Sequence, residues 1–117
     1  MVAFNFHHEF VIPILLGSKV QTIRKTRRCK VGDAMQLFTG QRTKNCLKFA
    51  ERICSVVDYV HLERNSLTLG NCSKHPRDWD KFAELDGFDN YEDMLDFFVR
   101  QYGSSEFVGS VHRWVPA

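Results

Sequence analysis

The chain has 117 residues, 44% of them hydrophobic and 26% charged, with ten Phe and a formal net charge of +2. That length supports one domain over 1–117, and the aromatic content excludes a disordered chain, because buried rings offset the entropy lost on folding. No run is long and apolar enough to cross a membrane, and the first residues lack the cationic start and continuous apolar core of a signal peptide.

Taken in chain order, Val2-Ala3-Phe4-Asn5-Phe6 alternates, which predicts a strand with Val2, Phe4 and Phe6 on one face. His7 and His8 follow, then an apolar stretch from Phe10 to Leu16. Pro13 is tolerated only in a helix's first turn, so a short helix here begins late or is distorted, and Gly17 stops it. Lys19 to Arg24 is β-branched at Val20, Thr22 and Ile23 and predicts a strand. Val31-Gly32-Asp33 forms a turn, Ala34 to Thr39 a strand, and Thr39-Gly40-Gln41 its close. Residues 46–59 predict a long, bent strand or two short ones, and 60–69 a hairpin turning at Arg64-Asn65. Pro76 to Leu85 places Trp79, Phe82 and Ala83 on one helical face. Asp89-x-x-Glu92 resembles a capping box, with Asn90 as a competing cap. Tyr91, Met94, Leu95, Phe98 and Tyr102 then recur at helical spacing and read as a core stripe, ended by Gly103. Glu106 to Val115 alternates as a closing strand. Strands dominate, with one helix early and two late, so the expectation is a small α+β fold or a partly closed barrel.

Charge is segregated along the chain. Between Lys19 and Lys48 lie Arg24, Lys25, Arg27, Arg28, Lys30, Arg42 and Lys44, against the single acid Asp33, whereas residues 78–96 are acidic apart from Lys81. A basic and an acidic half imply two faces with different tasks, or one clamped on the other. The basic half suits an anionic partner such as RNA, while the modest total charge argues against tight non-specific DNA binding. Cys29, Cys46, Cys54 and Cys72 fall at irregular intervals and suit reduced, partly buried thiols in a cytoplasmic protein. Cys72-x-x-His75 lacks a second ligand pair, so no metal and no cofactor is expected.

Four residues form a candidate site. Thr22 and Arg24 are two apart in a strand and share a side, and Lys19 joins them if the backbone still turns at Ser18-Lys19. Asp86, in Leu85-Asp86-Gly87-Phe88, sits between the two late helices where a loop can present a carboxylate. A Lys, a Thr hydroxyl and a carboxylate make an amide-hydrolysing set: the amine deprotonates or orients the hydroxyl and the carboxyl passes a proton to the leaving amine. The plainer reading is that Lys and Thr are ordinary strand residues. Arg42, Thr43 and Lys44 follow a Gly turn and suit either phosphate contact or a solvated tip. His7 and His8 suit either the lining of the cleft or, more simply, the surface; Phe38 and Tyr59 suit either stacking on a base or, more simply, the core, and Trp114 reads as packing.

Gly17-Ser18-Lys19-Val20-Gln21-Thr22-Ile23-Arg24 resembles the G-x-K-x-x-T-x-R signature of the ASCH domain family, which is similar to PUA domains. Supporting marks are the Phe-rich first strand, Val31-Gly32-Asp33, Ala83-x-x-Asp86-Gly87-Phe88, the final Arg113-Trp114, and a second basic loop from Thr39 to Cys46. The resemblance implies a mainly antiparallel, partly closed β-barrel of about five or six strands with capping helices. It also implies a cleft for RNA or a modified nucleoside. Family members act as RNA-binding modules, as amidohydrolases on acetylated cytidine, or as ribonucleases. By this resemblance Lys19, Thr22 and Asp86 are the catalytic set, with Asp86 one methylene shorter than the family Glu. Arg24, Arg27, Arg28, Arg42 and Lys44 are then the ligand-binding residues, Arg24 through its planar fork.

Overall fold

The computed structural model describes residues 2–41 and 43–115. The expected ligand-binding residue Arg42 lies outside them. Alternating burial of Phe4 and Phe6 fixes the first strand, β1 (Val2–Phe6). A 3-10 turn (His8–Phe10) leads into α1 (Val11–Leu16), where Pro13 falls in the first turn and so costs no helical hydrogen bond. Gly17 ends α1 in the left-handed region at φ 87°. The next elements are β2 (Gln21–Arg24), β3 (Ala34–Thr39) and the seventeen-residue β4 (Leu47–Glu63).

β4 organises the sheet. Its first half pairs with β3, from Thr39 opposite Leu47 to Ala34 opposite Ile53. Its second half pairs with β7 (Phe107–Trp114), and its end forms a hairpin with β5 (Ser66–Leu69). Register shifts at Leu37/Phe38 and Cys54/Val56 let this one long strand bend, which resolves the choice between a bent strand and two short ones. β6 (Cys72–Ser73) adds to β5 and is too short to leave an alternation in the sequence. β2 pairs with β7.

The fold is α+β with a mixed sheet, because β1 runs parallel to β3 while the other pairings are antiparallel. Among the described residues no ladder joins β1 to β2, so backbone pairing does not close the sheet into the expected barrel. Side chains cross that gap instead: Arg24 Nη2 donates to Asn5 O at 2.9 Å and Arg28 Nη2 to Ala3 O at 3.2 Å.

Two further helices cover the sheet, α2 (Trp79–Leu85), entered through a Pro76–Asp78 3-10 turn, and α3 (Tyr91–Tyr102). The core has two clusters. One packs α2 and α3 on β5, β7 and the end of β4, and the other packs α1 on β1 and β3 around Trp114. Phe88 and Phe97 touch both clusters. Among the described residues no helix is long and apolar enough to cross a membrane.

The competing caps of α3 are resolved in favour of Asn90, whose Oδ1 accepts from Asp93 N at 2.8 Å. Asn90→Ala is expected to lower stability by about 1 kcal/mol, and Asp89→Ala by less than about 0.5 kcal/mol. Urea unfolding of the two variants checks the ranking, and the reverse order would make Asp89 the working cap.

Candidate active site

Two glycine turns build the site. At Gly17 the chain reverses so that Ser18 N and Lys19 N both donate to Pro13 O, at 3.0 and 3.1 Å. This is the turn Lys19 needs to reach the side of β2 that carries Thr22 and Arg24. Val20 N then donates to Leu85 O at 2.9 Å, docking the start of β2 on the end of α2. On the other side, α2 closes at Asp86, and Gly87 follows at φ 92°. A Cβ at Gly87 would lie 3.0 Å from Lys19 Cδ and 3.2 Å from the Phe10 ring, so both its conformation and its bareness are required.

The result is a buried pair. Lys19 and Asp86 are each 2% exposed. Lys19 Nζ donates to Gln21 O at 2.8 Å and to the Asp86 carbonyl at 2.5 Å, and lies 3.6 Å from Asp86 Oδ1. It also sits 4.7 Å from the Phe10 ring centroid, within cation–π range. Burial pushes the Lys19 pKa down to about 8, against the pull of Asp86 and with help from Arg24. Burial pushes Asp86 up to about 6, against Lys19 and Arg24. Desolvation therefore outweighs mutual attraction in both partners, and each group is shifted toward its neutral form.

Lys19, Thr22, Arg24 and Asp86 all open on one cavity of about 170 Å³. Phe6, Phe10, Phe88, Phe97, Phe98 and Tyr102 form its aromatic wall, with Asn5, His7 and Gln101 as further polar lining. Arg24 is held against β1, its guanidinium 5.0 Å from the Phe6 centroid, and burial lowers its pKa, with Arg28 adding to the effect. The other expected binding residues stand elsewhere. Arg27 and Arg28 line a separate shallow cavity with Cys29, Lys30 and Asp33, and Lys44 is exposed between β3 and β4. A charge run in sequence does not specify which cations face a cleft.

His7 is exposed, in line with a surface position, and it also lines the cavity wall, its ring edge-on to Phe97 at 5.8 Å. Tyr59, expected as packing, is instead 45% exposed. Tyr102 is not purely core, because it lines the cavity and is 39% exposed. Asn5, Phe10, Phe97 and Gln101 were not anticipated at the site. Phe97 and Gln101 lie four apart on α3, beside the core stripe of Phe98 and Tyr102, and that second face was the available signal. Cys29 and Cys54 are buried, Cys46 and Cys72 exposed, and all four are free. Among the described residues, Cys72 and His75 join no group of three metal-ligating side chains. His61, Glu63 and Glu106 do, outside the cavity, with His61 Nε2 3.3 and 3.2 Å from the two carboxylates.

No protein-family model, no curated protein and no solved structure matches this chain.

Asp86 is the charge that holds the Lys19 proton in place. Asp86→Asn is expected to move the Lys19 titration midpoint below about 8, read by NMR of the lysine side chain. An unchanged or raised midpoint would mean that the carboxylate does not act on the amine.

Proposed function

We propose that this chain is an RNA- or nucleoside-binding domain of the ASCH, PUA-like type, whose cavity hydrolyses an amide on an acylated cytidine such as N4-acetylcytidine. The observation that carries the reading is the convergence of Lys19, Thr22 and Asp86 on one cavity, beside Arg24. The cavity of about 170 Å³ suits a base-sized group, since sites for drug-sized ligands run to roughly 300–1,000 Å³. The rest of the nucleotide then stays outside the cavity, and the exposed cations Arg27, Arg28 and Lys44 are its candidate phosphate contacts. The partly closed barrel of PUA-like domains belongs to the same proposal, with the Arg24 and Arg28 bonds to β1 standing where a ladder would close it.

The chemistry balances within the set. Neutral Lys19 takes the Thr22 hydroxyl proton as Oγ attacks the acyl carbonyl, and protonated Asp86 gives its proton to the departing N4 amine. Water then cleaves the threonyl ester. Its proton goes to the Asp86 carboxylate, and the Lys19 ammonium returns a proton to Thr22. Arg24 orients the ligand through its planar fork. The active form of the pair carries a single shared proton, the state that prevails between about 6 and about 8. Asp86 is one methylene shorter than the family Glu, but its place in the cavity lining supports reach to a bound amide.

A second reading, a non-catalytic RNA-binding module, is favoured by one observation: Lys19 Nζ already donates to two backbone carbonyls. Acetate release from N4-acetylcytidine and cleavage of short RNAs separate the readings. Under the amidohydrolase reading, Lys19→Ala and Thr22→Ala each lower turnover by about 100-fold or more, and Asp86→Glu preserves or raises it. The pH profile rises through about 6 and falls through about 8 if the chemistry uses the singly protonated pair. RNA affinity falls steeply with salt as phosphate contacts release counterions. Cleavage of RNA without acetate release would favour a ribonuclease. Absent turnover of either kind, with RNA affinity lost in Lys19→Ala, would leave the binding module.

A further inference from the structure

Gln21 bonds one member of the buried pair and stands near the other. Its backbone oxygen accepts from Lys19 Nζ at 2.8 Å. Its side chain is fully buried, although it does not line the cavity. Directly across the β2–β7 ladder stands Arg113, whose Nε and Nη2 reach the Gln21 amide oxygen at 3.2 and 2.8 Å. Arginine has donors and no acceptor, so the atom it grips must be Oε1. That grip fixes which way the amide faces and turns its NH₂ group away from Arg113.

Gln21 Nε2 and Asp86 Oδ1 are both enclosed, and neither has a hydrogen-bond partner among the described residues. One is a donor and the other an acceptor, so a single N–H···O contact would satisfy both. The Gln21 amide is close enough to help hold the Asp86 pKa down, behind the larger effects of Lys19 and Arg24. Those two cations are the charged groups that act most on Asp86, and His7 and Tyr102 are the other titratable side chains in the cavity lining. Arg113 grips the amide itself, so it can act on Asp86 through the orientation of Gln21.

We propose that Arg113 and Gln21 form a positioning relay, in which the arginine fork sets the orientation of the amide and the amide N–H holds the Asp86 carboxylate in its ionised form against Lys19. The relay is a property of the folded chain. Only its consequence for turnover rests on the amidohydrolase reading. Neither residue is catalytic, because neither touches the ligand space. An amide that donates to a carboxylate stabilises the charged form, so removing it raises the carboxyl midpoint. Arg113→Met leaves the amide free to turn its oxygen toward Asp86, which acts in the same direction.

The test is the Asp86 side-chain carboxyl titration, followed by ¹³C NMR in the full chain. Gln21→Met is expected to raise the midpoint by about one pH unit, and Arg113→Met to raise it in the same direction. Arg113→Lys, which keeps the charge and one donor, should restore most of the wild-type value. Arg113 is only partly buried, so its variants keep the inference testable if Gln21→Met does not fold. Midpoints that stay at the wild-type value in folded variants, even with lower thermal stability, would reduce both residues to packing and overturn the relay. The acid limb of the turnover profile should move upward together with the midpoint. If wild type shows no turnover but the midpoints move, the relay stands and the hydrolase reading falls. If turnover is present but the midpoints are fixed, the relay falls alone.

Discussion

An ammonium and a carboxylate buried side by side shape this molecule, because taking either charge out of water costs more than their attraction returns. Lys19 and Asp86 respond with pKa values displaced toward each other, to about 8 and about 6. Much of the local architecture answers to that cost. Gly17 turns the chain so that Lys19 reaches inward. Gly87 leaves room for the lysine stem, and the end of α2 offers the Asp86 carbonyl to the ammonium. Phe10 lays its ring beside Nζ. A well-packed apolar pair would hold the same seam with less penalty.

The pair stands where the two halves of the fold meet. Val20 ties the start of β2 to α2 and, through its carbonyl, to Trp114 N at 3.0 Å. Phe88 and Phe97 belong to both core clusters and also wall the cavity. Thr22 and Arg24 of the site stand on β2, while Lys19 and Asp86 stand in the turns at Gly17 and Gly87 that follow α1 and α2. Aromatic walls keep the local dielectric low, which strengthens every interaction between Lys19, Arg24 and Asp86. The segregated charges of the sequence also meet here. Lys19–Asp86 joins the basic stretch to the acidic one, whereas Lys48–Glu51 is local and Arg64 pairs with Glu92 and Asp96 from outside the basic stretch.

Local signals in the sequence were strong where the physics is local. Alternation marks β1, the Gly-bounded apolar stretch marks α1, and the helical stripe of Tyr91 to Tyr102 marks α3. The candidate set Lys19, Thr22, Arg24 and Asp86 was legible because Gly17 and Gly87 flag the turns that deliver two of its members. What escaped depends on tertiary register. The parallel pairing of β1 with β3 has no sequence mark, and β6 has only two residues. His7 and Tyr102 carry ordinary surface and core patterns, and only the packing of the His7–Phe10 segment against α3 turns them to one cavity. Gln21 falls on an unspecified position of the Gly17–Arg24 motif. Its importance comes from Arg113, 92 residues away.

The most direct test of this account is the pH dependence of unfolding free energy, compared between wild type and the uncharged double variant Lys19→Met/Asp86→Leu. The folded Lys19 pKa of about 8 lies below its ordinary 10.5, so the folded state binds fewer protons there than the unfolded chain. The stability of wild type relative to the double variant should therefore rise as pH increases from about 8 to about 10.5, by on the order of 3 kcal/mol. A difference that stays flat or falls over that range would show that Lys19 keeps its proton as tightly as in water. Burial would then not be what sets the chemistry of this cavity.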